Sequence, residues 1–147
     1  MTRFYGLDEA NAQLGELEPI LVALRSQRVE LVRLRDEVLE LGGGSSDITS
    51  STLPSSGRPE RATAPERNLR LVRLRMQGLI DQMQAGVGQL VERDVTLREI
   101  ETGLIDFPAL ANGRQVWLCW RLGEGPIDWW HELGDGFGGR RQLIDLT

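Results

Sequence analysis

Apolar side chains recur in alternating steps of three and four at Leu17, Ile20, Leu24, Leu31, Leu34, Val38 and Leu41, with Gln27 filling one position of the series. That rhythm is the seam of a coiled coil, which keeps its apolar residues on one side of a helix. Pro19 falls early in the run, and a helix tolerates proline best in its first turn. The pattern therefore predicts a short helix over roughly 7–16 and a long one from about 18 to 41, stopped by Gly42, Gly43 and Gly44. Val72, Met76, Leu79, Met83, Gly86 and Leu90 repeat the same steps, which predicts a second long helix over 66–94. Gly78, Gly86 and Gly88 each weaken it by about 1 kcal/mol relative to Ala, yet leave room for a partner helix to approach. Between the helices, 42–65 is rich in Ser, Gly and Pro, with Ile48 and Leu53 its only large apolar side chains. Such a segment buries too little surface to offset its ordering entropy and reads as a flexible linker.

From residue 95 the period changes to two, and 95–132 reads as an antiparallel meander. Asn112-Gly113 is a strong hairpin signal, because both central positions of a type I′ turn need φ > 0. A two-residue turn there sets Ala111 opposite Arg114, Phe107 opposite Leu118, Asp106 opposite Cys119 and Ile105 opposite Trp120. A second connection at Gly123-Glu124-Gly125-Pro126 sets Leu122 opposite Ile127, Arg121 opposite Asp128, Trp120 opposite Trp129 and Leu118 opposite His131. One face then holds Ile105, Phe107, Ala109, Val116, Leu118, Trp120, Leu122, Ile127 and Trp129, with His131 at its end, and is a core face. The other holds Leu104, Asp106, Trp117, Cys119, Arg121, Asp128, Trp130 and Glu132. The expected class is α+β: a long antiparallel helical hairpin, coiled-coil-like, followed by a small antiparallel β-meander. It forms one domain over 1–147, divided as 1–41, 42–65, 66–94 and 95–147 with a Gly-rich tail.

Charge narrows the partners. The chain has 17 basic residues, every one an Arg, against 22 acidic ones, for a net charge of −5. Nucleic-acid binders usually carry a strongly basic domain, so no nucleic acid is expected. The cluster Arg67, Arg70, Arg73 and Arg75 is read as matched by Asp36, Glu37 and Glu40 across the hairpin. One Cys and one His can close neither an intramolecular disulfide nor a structural zinc site. Asp8, Glu9, Glu16 and Glu18 do not suit a signal peptide, and the longest apolar stretch of the first helix, Ile20 to Leu24, is far short of the roughly 20 residues of a membrane span. The expectation is a cytoplasmic protein with no membrane contact, no cofactor and no metal.

The second sheet face carries the candidate chemistry. Asp106, Cys119 and Trp130 would lie in a row across three strands, flanked by Trp117, Arg121 and Glu132. Two indoles on a face that should be wet suggest a pocket or a partner surface. The register puts His131 on the opposite face from Cys119, which leaves the thiol without a base and argues against a Cys/His dyad. His131, Glu132 and Asp135 lack the second His that a facial triad or an HExxH motif requires. Gly134-Asp-Gly136-Phe-Gly-Gly139 spells GxGxxG, but too few residues follow for the helix that would hold a pyrophosphate, so it reads as a turn returning the tail to the sheet. Arg140 and Arg141 beyond it could hold an anion or pair with Asp106, Glu132 or Asp135.

Phe4-Tyr5 with Leu-Asp-Glu-Ala-Asn, Gly-Leu-Ile-Asp-Phe-Pro at 103–108, Leu-Cys-Trp-Arg-Leu-Gly-Glu at 118–124, Trp-His-Glu at 130–132 and Gly-Phe-Gly-Gly-Arg-Arg at 136–141 together resemble a prokaryotic family called domain of unknown function 2203. The resemblance covers nearly the whole chain apart from the linker. It implies no activity. It does imply that Asp106, Cys119, Trp120, Arg121, Glu124, His131, Glu132, Gly136 and Arg140 belong to the family's own signature. Two functional readings follow. The first is a non-enzymatic interaction or oligomerisation module, its helical hairpin pairing with a second copy to give a homodimer or with a helical protein partner. The second is a ligand or enzymatic site on the sheet, formed by Asp106, Cys119, Arg121, Glu124, His131, Glu132 and Arg140 with Trp117 and Trp130 as walls. A weaker third reading is an RNA- or ribosome-associated factor.

Overall fold

The computed structural model describes residues 3–42 and 63–145, so nearly all of the linker predicted over 42–65 lies outside the described residues. The first helix, α1, is one element, Leu7–Gly42, with Pro19 inside it. The predicted break between 16 and 18 is therefore absent. Pro19 and Gly15 are both exposed, so the Gly15 carbonyl that loses its intrahelical donor faces water, and the chain continues as helix. The second helix, α2, is Ala64–Glu92. A capping box starts it: the Glu66 N–H donates to Thr63 Oγ1 at 3.3 Å and the Thr63 N–H donates to Glu66 Oε2 at 3.0 Å. It ends on Asp94 in the left-handed region, φ 58°, with the Val95 N–H donating back to the Leu90 carbonyl.

The chain divides into two compact units, one formed by Met1–Arg28 with Gln82–Thr147, the other by Val29–Asp81. In the second unit Leu34 and Val72 are buried as the seam predicts. Among the described residues the α1 carboxylates Glu30 and Glu37 pair with Arg33, and Asp36 with Arg35, on their own helix. Among the described residues no ion pair joins Asp36, Glu37 or Glu40 to Arg67, Arg70, Arg73 or Arg75, although Arg75 acts on Glu30 through space. The expected interhelical match is replaced by pairs within the same helix, Glu30 and Glu37 with Arg33 at three and four residues and Asp36 with the adjacent Arg35.

The first unit holds a five-stranded antiparallel sheet in sequence order: β1 (Thr96–Glu99), β2 (Leu104–Ala111), β3 (Arg114–Arg121), β4 (Trp129–His131) and β5 (Arg141–Gln142). The first hairpin has the predicted register, Asp106 opposite Cys119 and Phe107 opposite Leu118, over a turn with Asn112 at φ 52° and Gly113 at φ 80°. One sheet face packs Ile105, Phe107, Val116, Leu118 and Trp120 against Leu17, Leu21, Leu24 and Leu90 of the helices. At Gly86 the predicted close approach occurs, since a Cβ there would sit 3.1 Å from Leu24 Cδ2, whereas Gly78 and Gly88 face open space. β1 pairs with β2 only as far as Asp106. Beyond it the Pro108 carbonyl accepts from the Tyr5 N–H at 2.7 Å, and the Tyr5 ring stands edge-on to Phe107 at 5.2 Å.

The pairing of β4 differs from the expectation by one residue: Trp117 lies opposite His131, Leu118 opposite Trp130 and Cys119 opposite Trp129. The predicted pairs Arg121–Asp128, Trp120–Trp129 and Leu118–His131 are not formed. Residues 122–128 are an irregular connection, not a continuation of the ladder. Gly123 sits at φ 97°, the Glu124 N–H donates to the Arg121 carbonyl, and Ile127 turns into the core with its N–H on Asn11 Oδ1 at 2.8 Å. This shift places Trp130 on the core face and His131 on the face of Asp106 and Cys119. The glycine-rich stretch is a turn carrying a short 3₁₀ segment, Phe137–Gly139, and returns the tail to the sheet as β5, as expected.

Gly103 closes the β1–β2 connection at φ 66°, and a Cβ there would meet the Leu122 Cβ at 2.6 Å. Gly103→Ala is expected to lose about 2 kcal/mol from the left-handed backbone alone. Urea unfolding followed by tryptophan fluorescence checks this, and a loss below about 0.5 kcal/mol would contradict it.

Candidate functional site

Four strands bring one group each to the face opposite the helices. Alternation along β2, β3 and β4 turns Asp106, Cys119 and His131 to the same side, and all three are buried, at 1%, 1% and 2% exposure. β1 adds Arg98. Leu97 and Glu99 pair with adjacent residues of β2, so Arg98 is the extra residue of a bulge, a feature that re-aims side chains beside functional sites. Its Nε donates to Asp106 Oδ2 at 2.8 Å.

His131 is held at both ring nitrogens. Nδ1 lies 2.9 Å from the Glu132 carbonyl, and Nε2 lies 2.9 Å from Asp106 Oδ2. Both partners are acceptors. Which nitrogen donates depends on the tautomer, and the ring is fixed in place from both sides. Asp106 Oδ2 faces both Arg98 and His131, while the buried Oδ1 meets no N–H or O–H donor and the Cys119 thiol is the remaining hydrogen-bonding neighbour of this carboxylate. Buried polar atoms of this kind are uncommon and call for an explanation.

Burial pushes the Cys119 thiol up to about 12, and the neighbouring Asp106 carboxylate adds to the rise while Arg140 opposes it. The expected separation of Cys119 and His131 onto opposite faces is corrected by the shifted register. A nucleophile–base dyad is still not what the geometry offers. Both imidazole nitrogens are engaged with other groups, and the thiol is pushed away from its reactive form. What the three residues share is donor chemistry: one oxygen, one sulfur and one nitrogen, all within 4.8 Å of one another. They floor a cavity of about 360 Å³, walled by Arg98, Leu104 and the loop residues Leu133, Asp135 and Phe137.

The other expected site residues divide. Trp117 lies on the same face, half-buried under the Arg98 guanidinium at 5.0 Å. Trp130 is a core residue and not a wall of this site. The Glu132 carboxylate turns to Arg114 at 2.7 Å, and only its backbone carbonyl takes part. Arg121, Glu124 and Arg140 form a second group that ties the β3–β4 connection to the glycine-rich loop. Glu124 accepts from the Arg121 N–H and from the Arg140 guanidinium, Arg140 lies over Trp129 at 4.3 Å and Phe137 at 4.6 Å, and Arg121 lies over Phe137 at 5.3 Å. Sequence reasoning missed Arg98. Counting alternate residues along 96–99 against Asp106 would have placed it on this face.

The chain belongs to the family described as Uncharacterized conserved protein (DUF2203), whose model matches residues 3–143. No curated protein and no solved structure matches it.

Proposed function

We propose that this protein binds a small polar ligand in the cavity over Asp106, Cys119 and His131. The supporting observation is Asp106 Oδ1: a buried carboxylate oxygen with no N–H or O–H donor, at the floor of a cavity large enough for a small molecule or a hydrated ion. Burying such an atom costs free energy that a bound group recovers. Thermal melting against a panel of metal ions, carboxylates and phosphates tests the reading. A ligand at a hundred times its dissociation constant adds about 2.7 kcal/mol, or roughly 5–10 °C for a chain of this size. The shift is expected in the wild type and absent in Asp106→Asn. A panel that moves neither protein would count against the site.

A second reading is self-association through the Val29–Asp81 unit. Val29, Leu39, Leu71 and Leu74 expose between 57% and 66% of their surface there, apolar area that a second copy would cover. Sedimentation at micromolar concentration should give the mass of a dimer, reduced to a monomer by Leu71→Glu with Leu74→Glu. A monomeric wild type would end this reading. No helix among the described residues is long and apolar enough to cross a membrane.

A further inference from the structure

Resting on the ligand-binding reading, we propose that Asp106, Cys119 and His131 are three protein ligands of one divalent transition-metal ion of the zinc class, with the cavity supplying an open fourth position. The three come from β2, β3 and β4, whose pairing in the sheet fixes their spacing. Donor atoms around a tetrahedral zinc stand about 3.5 Å apart, given bonds of about 2.0–2.3 Å. The donors here lie within 4.8 Å of one another, so side-chain rotations of about an ångström complete the site.

An ion at this point would serve two of these groups together. Asp106 Oδ1 gains a partner while Oδ2 keeps Arg98. On His131, Nδ1 faces the Glu132 carbonyl, the kind of outer contact that orients a metal-binding His, and Nε2 faces Asp106. Sulfur and imidazole nitrogen select zinc or cobalt over magnesium and calcium, which prefer all-oxygen shells. A coordinated thiol is deprotonated outright, and the thiolate with the Asp106 carboxylate supplies two negative charges to balance the ion. Three protein ligands beside a cavity is the arrangement of zinc sites that keep a position for water or substrate.

The test uses the full chain, stripped with EDTA and titrated with Co²⁺ alone. The expected result is a near-ultraviolet thiolate-to-cobalt charge-transfer band together with visible tetrahedral bands, saturating at a single equivalent and abolished by Zn²⁺. Cys119→Ser should lose the charge-transfer band, and His131→Ala should weaken cobalt binding at least tenfold. Should a variant fail to fold, the wild-type band decides alone. Its absence in folded protein, or cobalt bound without it, overturns the metal site. If metals are silent and an organic member of the melting panel still stabilises the wild type but not Asp106→Asn, the metal assignment fails and the ligand site stands. If nothing binds, both fail.

Discussion

Asp106→Ala should destabilise the metal-free protein by about 2–3 kcal/mol, the upper part of the range for leaving a buried polar group without its partner. Asp106 is 1% exposed, and the same oxygen accepts from Arg98 Nε and lies 2.9 Å from His131 Nε2. Deleting the carboxylate strands two partners of different standing. The Arg98 side chain is 42% exposed and can turn to water, so its share of the loss is small. The 2% exposed imidazole has no such outlet and carries most of the cost. The two sites are therefore coupled. Asp106→Ala combined with His131→Ala should cost at least about 1 kcal/mol less than the sum of the single variants, because the second deletion removes the group that the first had orphaned. Urea unfolding in the presence of a chelator measures all three. An Asp106→Ala loss under 1 kcal/mol, or strict additivity, would mean that the carboxylate and imidazole do not depend on one another.

How much of this arrangement the sequence discloses depends on how many local signals agree. The hairpin of β2 and β3 is legible to the residue because Asn112-Gly113 favours a two-residue turn, and that turn gathers Ile105, Phe107, Ala109, Val116, Leu118 and Trp120 on one face. The β3–β4 register has no such anchor. Trp129 and Trp130 are adjacent, so either can be read as the core indole, and a one-residue slip exchanges them while leaving the pattern apolar. What decides is tertiary: Asn11, from α1, captures the Ile127 N–H and draws that side chain into the core. His131 changes face with that slip, so the sequence pattern alone separates it from Asp106 and Cys119. The helical seam was readable in outline. Pro19 misled because the penalty for an internal proline is small where the freed carbonyl meets water. The Arg cluster of α2 misled because charge matching across a hairpin competes with partners one turn away.

Cys119 in metal-free protein should react with a soluble disulfide reagent roughly a thousandfold more slowly than an ordinary thiol of similar access, since the thiolate fraction falls tenfold for each unit between 9.0 and about 12. The same displacement makes stability depend on alkaline pH, with a defined sign. The folded state holds the proton more tightly than the unfolded chain. The contribution is therefore complete below about pH 9 and is lost as pH rises towards 12. Within that window each unit removes about 1.4 kcal/mol, so raising the pH from 9 to 10 should cost somewhat less than that, the unfolded thiol being only partly ionised at the start. Burial also raises the Tyr5 hydroxyl, whose loss of stability in alkali runs in the same direction. Comparison with Cys119→Ser cancels that part, because Tyr5 is present in both proteins and serine does not titrate there. The wild type should thus lose stability faster than Cys119→Ser between pH 9 and 11, while the two run parallel from pH 7 to 8. Parallel curves through the whole range, together with rapid modification of the native thiol at pH 8, would place Cys119 in contact with solvent. It would then be a reactive group and not an interior donor waiting on an ion.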